Sequence, residues 1–201
     1  MMIMKKIIVA FLFVIAAWSR GAAQHSVGAN SAAQNSMGAN GAAQLAPVDA
    51  GSSVKFHIRN FGFGVTGAFT GLSGKIQWDP AHLGDAAIDV SVDASTVNTD
   101  NSMRDEHLRR PDYFDAQKYP RIRLVSSTVS QGSKKGVFLF TGKLMLKNHV
   151  KDLSFPFTAE AEGGGGYHFK GGFSINRKEF EVGGTSTISD NLDVELDVIA
   201  K

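Results

Sequence analysis

The sequence predicts an all-β domain of eight antiparallel strands curled into a barrel, interrupted once by a short helical insertion. Three observations carry this. Apolar and polar residues alternate with period two, not 3.6, in segment after segment from Leu45 onward. Several of the 22 glycines fall inside those segments, where glycine marks the bulges and bends a closing sheet needs. Phe reaches 14 residues and Pro only 5, a mix suited to aromatic packing between strands.

The chain opens on an export address. Lys5 and Lys6 precede an apolar run at residues 7–17, and the small residues Gly21, Ala22 and Ala23 follow. Residues 1–23 therefore read as a secretory signal peptide cleaved near Ala23. The run is shorter than the roughly 20 apolar residues that span a bilayer, so no stable membrane anchor is expected after cleavage. Three of the 21 basic residues leave with it, so 18 remain against 19 acids, a net of −1. Residues 24–45 continue a near-decameric repeat, GAAQHSVGAN followed by SAAQNSMGAN, poor in large apolar side chains. Such a segment cannot bury enough surface to offset its ordering entropy and reads as a low-complexity linker. The folded domain is expected over 46–201.

Strands are predicted at 54–58, 65–78, 88–92, 122–130, 137–147, 153–159, 167–175 and 192–198. In the last, Leu192, Val194, Leu196 and Val198 alternate with the acids Asp193, Glu195 and Asp197, so one face is buried and the other wet. The glycine run 163–166 reads as a hairpin tip, since a strand and not a helix follows it. Between the third and fourth strands, residues 99–116 carry the helical insertion. Thr99 or Asp100 caps a helix through Met103, Glu106, His107 and Leu108, and Pro111 ends it. Period alone does not separate a barrel from a two-sheet sandwich. The long glycine-bent strands and the Phe-rich inner face favour the barrel, which also hides its edges.

The inward-facing set includes Phe56, Ile58, Trp78, Val90, Leu124, Phe138, Phe140, Leu144, Phe155, Phe157, Phe169 and Phe173, with no charged residue among the inward positions of these strands. Such a lining suits an alkyl or isoprenoid chain, each buried methylene contributing about 0.8 kcal/mol. An eight-stranded barrel can also be filled solid by its own side chains, and both outcomes stay open.

Other chemistries find little support. The chain has no cysteine, which removes disulfides and thiolate catalysis. No basic block favours nucleic acid. The six histidines show no metal-ligand spacing, so no metal is expected. Arg104, Asp105 and His107 form the best polar cluster. They read either as a head-group clamp or proton-transfer site at the barrel mouth, or as ties holding the helix to its loops. Asn176-Arg177 likewise reads as an anion site or as a collector of carbonyls in a closing turn.

Several motifs together resemble the YceI-like family. They are Ser53-Val54-Lys55-Phe56, Ala94-Ser95-Thr96-Val97-Asn98-Thr99, Arg104-Asp105-Glu106-His107-Leu108, Asp112-Tyr113-Phe114-Asp115-Ala116, Gly142-Lys143-Leu144-Met145-Leu146 and Ile175-Asn176-Arg177-Lys178-Glu179-Phe180. The resemblance implies a lipocalin-like barrel, export, and a cavity for a lipid or polyisoprenoid, with no cofactor besides that ligand. The chain departs from the family pattern at Arg59-Asn60, where an Arg-His pair is usual. It departs again at 148–152, where Gly-Val-Thr-Lys-Pro is usual, and at Glu181, where glycine is usual.

The expectation is thus a periplasmic or secreted, non-enzymatic binder of an apolar chain. Two alternatives are an enzyme acting on an apolar substrate at the barrel mouth through Arg104, Asp105 and His107, and a partner-binding module of the cell envelope. A homodimer through the barrel exterior stays open, although no outward apolar stripe is long enough to argue for it.

Overall fold

The computed structural model describes residues 41–184 and 187–201, so the expected signal peptide and most of the expected linker lie outside the described residues. Ten strands follow in chain order: β1 (Ala43–Leu45), β2 (Pro47–Asn60), β3 (Phe63–Phe69), β4 (Ser73–Trp78), β5 (Ala87–Asp93), β6 (Arg121–Gln131), β7 (Val137–Leu146), β8 (His149–Ala161), β9 (Tyr167–Asn176) and β10 (Asn191–Ala200). One helix, α1 (Ser102–Leu108), lies between β5 and β6. All ladders are antiparallel, in the order β1-β4-β5-β6-β7-β8-β9-β10-β2-β3.

The expected eight strands are ten for two local reasons. The segment 65–78 breaks at Thr70-Gly71-Leu72 into β3 and β4. Gly71 takes φ +71°, a conformation that side chains resist, and Asp49 accepts from the backbone N–H groups of Gly71 and Leu72 at 3.1 and 2.9 Å. The second reason is β1, which falls inside the expected linker. Leu45 pairs with Ile76 and is only 3% exposed, and Ala42 is 1% exposed, so apolar burial and main-chain pairing together draw the end of the repeat into the sheet. Losing the Asp49 carboxylate in Asp49→Ala should cost about 1 kcal/mol in urea unfolding, with Asp49→Asn losing less.

Closure also differs from the expectation. Only Ala46 separates β1 from β2, and it exchanges both backbone hydrogen bonds with Lys201. The strand segment 43–60 thus switches partners, from β4 to β10 and β3. No ladder joins β3 to β4. The gap is bridged instead by Ala68 paired with Asn98 and by Asp93 N–H donating to Thr70 O. The fold is a curled, barrel-like sheet whose hydrogen bonds run round through Ala46 at one end and leave it open between β3 and β4.

A second seam lies in the wall. The β8–β9 ladder runs only from Phe157–Gly171 to Ala161–Tyr167. It stops one residue short of Pro156, which has no N–H to donate. Beyond that point the recess between the strands is lined by Leu153, Ser174, Ile175 and Phe180, the last only 1% exposed.

Close approaches shape the curl. A Cβ on Gly142 would sit 2.1 Å from Val125 O and 2.7 Å from the Phe140 ring, so only glycine fits where β7 crosses β6. The wet face behaves as its alternation predicts. Glu195 meets His57 at 3.3 Å, Asp193 accepts from Ser174 Oγ, and Asp197 accepts from His168. The helix is capped by Asn101, whose side chain accepts from Arg104 N–H at 3.0 Å, and not by Thr99 or Asp100. Asp100 is held at φ +58°, outside cap geometry, and Thr99 is taken up by Asp105.

Candidate functional site

The inward side chains enclose a hollow of about 230 Å³ with an almost wholly apolar wall. An apolar cavity of about 150 Å³ already takes up a small apolar guest, so this one has room for a guest of that kind. Phe56, Ile58, Val90, Leu124, Phe140, Leu144, Phe155, Phe157, Phe169 and Phe173 line it, as the alternation predicts.

Trp78 and Phe138 do not line it, and the expectation is corrected there. They sit at the end of the sheet marked by Trp78, Ala87 and Tyr167, inside a packed aromatic floor. The Trp78 ring meets Phe138 at 4.9 Å, Phe169 at 5.4 Å, Phe157 at 5.7 Å and Tyr167 at 6.2 Å, mostly edge to face. Strand phase says which way a side chain points but not how deep along the barrel it lies, so it could not separate floor from wall.

The opposite end, marked by Ser73, Asp93, Leu146 and Asn176, is the mouth. Leu108, Tyr113, Phe114, Val182 and Ile188 line the hollow from α1 and the loops there. Sequence reasoning missed them because no period-two signal runs through those segments.

The polar candidates at the mouth are mostly structural. Asp105, 6% exposed, accepts from Thr99 N–H at 2.8 Å and from its hydroxyl. Arg104 donates from Nε to Thr99 Oγ1 and from Nη2 to Thr99 O, both at 2.7 Å, and borders the hollow beside Thr99. His107 is not among the lining residues. Its ring packs on Tyr113 at 4.8 Å and its Nε2 lies 3.9 Å from exposed Asp112. The three residues do not converge on one reacting point.

Asn176 accepts from Lys178 N–H and caps the 3-10 turn Arg177–Phe180. Arg177, 3% exposed, donates to the carbonyls of Val182, Gly183, Gly184, Ile188 and Ser189 and to Asp190. The carbonyl-collecting reading is the one this geometry fits. Two further arginines do the same work unnoticed in the sequence. Arg109 donates to Ser95 O and Val97 O, and Arg121 to Gly71 O and Ser91 O. Three guanidinium groups thus tie down segments at the mouth end.

The displaced ionisations lie on the outer strands and turns. Hydrogen bonding to Arg123 holds the Asp89 carboxyl below its ordinary range, and Lys143 does the same to Asp152. A depressed carboxyl stabilises the fold above its unfolded value and stops doing so as pH falls through the folded one. The gap in Tm between the parent and Arg123→Ala should therefore be small at pH 7 and narrow further toward pH 3, since the pair is half exposed.

Residues 46–200 match the family model of the YceI-like domain, most of the chain. The chain belongs to the YceI-like family. A UPF0312 protein of Pseudomonas fluorescens is 33% identical over 154 residues, 71% of this chain and 78% of that one. A UPF0312 protein of Shewanella denitrificans is 28% identical over 139 residues, 66% of this chain and 72% of the relative. BcnA of Burkholderia cenocepacia superposes with a TM-score of 0.71 at 25% identity, over 76% of this chain and 98% of that one. A polyisoprenoid binding domain from Saccharophagus degradans, implicated in plant cell wall breakdown, shares the fold at TM-score 0.62 and 15% identity, over 79% and 97%.

The departures from the YceI-like pattern can now be placed. Asn60 borders the hollow. The other two meet each other outside it: His149 Nε2 lies 3.6 Å from Glu181 Oε2, and Lys147 Nζ donates to Glu181 O at 2.9 Å. Glu181 stands at φ +51°, the conformation that suits the glycine usual in the family.

Proposed function

We propose that this protein is exported and, without catalysing a reaction, holds an apolar chain (a polyisoprenoid or another lipid) in the hollow of its sheet, in the periplasm or outside the cell. The observation that carries this is the 230 Å³ hollow, apolar in nearly all its wall and stopped at one end by packed aromatics. A guest chain would leave water for that wall at about 0.8 kcal/mol per methylene, without specific polar contacts. The polyisoprenoid-binding neighbour from Saccharophagus degradans, with the same fold, agrees with this ligand class. The engagement of Arg104 and Asp105 with Thr99, and the placement of His107 on the outside, favour binding over chemistry at the mouth. Export rests on the n-region and apolar run ahead of Ala23.

The test is solvent extraction of natively purified protein followed by mass spectrometry. About one equivalent of an apolar chain per protein is expected. The absence of stoichiometric lipid, together with no uptake of an added prenyl compound, would overturn the reading.

A further inference from the structure

The large apolar side chains left exposed among the described residues are Phe61, Phe63, Met103 and Val150, at 72, 77, 80 and 51% exposure. Every one lies at the mouth end. Phe61 and Phe63 form the tip of the β2–β3 hairpin, Met103 is in α1, and Val150 follows the β7–β8 turn. The turns at the floor end carry Asp79, His82 and Asp85, then Lys134 and Lys135, then Glu162 and glycines. Both ends carry charged turns, the mouth with Asp100, Glu106, Arg110 and Asp112 among others, but the large exposed apolar side chains are confined to the mouth.

The hairpin tip is built to stay out. Phe61 stands at φ +51° and Gly62 at φ +82°, and a left-handed position that favours Asn or Gly carries an aromatic ring instead. Phe61 N–H donates to Thr187 O at 3.2 Å, and Thr187 Oγ1 donates to Asn60 Oδ1 at 2.9 Å, fixing the tip to the neighbouring loop. Arg59 is exposed on the hairpin stem, with no acid between His57 and Thr66. Two rigid aromatics beside a cation, on the rim of an apolar hollow bordered by Ile58, Asn60 and Val65, have the chemistry of a bilayer interface.

We infer that the mouth end docks on a lipid bilayer, with Phe61 and Phe63 seated among the headgroups, so that a chain passes between membrane and hollow without crossing water. The purpose of the docking rests on the ligand reading above; the docking itself is measured separately. The protein, as recovered in soluble form, is floated with vesicles of phosphatidylethanolamine and phosphatidylglycerol at 3:1. It should rise with the vesicles. The Phe61→Asn/Phe63→Thr double variant, which suits the turn and the strand, should partition roughly tenfold more weakly or worse. Its uptake of a fluorescent prenyl probe should equal the parent's, showing an intact fold and hollow.

Flotation of parent and variant alike, or of neither, overturns the inference. So does a concentration-dependent dimer that the substitutions abolish without any flotation, which assigns the patch to a second copy of the chain. Flotation lost in the variant while neither protein takes up the probe upholds the docking surface and removes the ligand reading alone.

Discussion

Arg177→Met should destabilise the protein by about 3 kcal/mol or more, read as a drop in the denaturant midpoint at constant slope. The guanidinium is 3% exposed and donates to five carbonyls and the Asp190 carboxylate around the mouth loop. Methionine fills a similar volume but strands those acceptors away from water, and each stranded buried group costs about 1–3 kcal/mol. Lysine keeps the charge but has no planar fork, so Arg177→Lys should recover only part of the loss. A loss below 1 kcal/mol for Arg177→Met would mean that the loop carbonyls find water, and that this arginine does not organise the mouth.

The second large effect concerns binding and leaves the fold standing. Val90 from β5 and Val194 from β10 both line the hollow. The pair Val90→Phe and Val194→Phe puts aromatic volume into empty space, not into packed atoms. Stability should move by less than about 1.5 kcal/mol, because the cost of overpacking arises where a core is already full. Extractable lipid and probe uptake should fall at least tenfold. Unchanged uptake in a folded double variant would place the guest elsewhere.

Much of this molecule is written in the period of its strands. The inward and outward positions of β5, β7 and β10 follow from alternation, because a half-buried strand obeys one rule along its length. Ten of the twelve predicted lining residues border the hollow for the same reason. Depth along the barrel was not legible, since Trp78 and Phe140 share a phase and yet one belongs to the floor and the other to the wall. The break between β3 and β4 depends on Asp49, more than 20 residues upstream of the N–H groups it satisfies. The arginine ties escaped for a similar reason. Arg121 reaches Gly71 O across 50 positions of sequence, and such partners are fixed by topology. The helix cap was misplaced by one or two residues because four neighbouring polar side chains compete for it, and Asp105 removes Thr99 from the contest.

The short β8–β9 ladder has a thermodynamic corollary. Cohesion around the wall is uneven, and local opening costs least where side-chain packing, here beside Phe180, stands in place of main-chain bonds. Amides between Gly172 and Asn176 that turn away from β10 should trade their protons for deuterium well before those of β7, which is bonded on both flanks. Shrinking Phe180 to alanine should quicken that trade along this flank and leave β5 and β6 untouched.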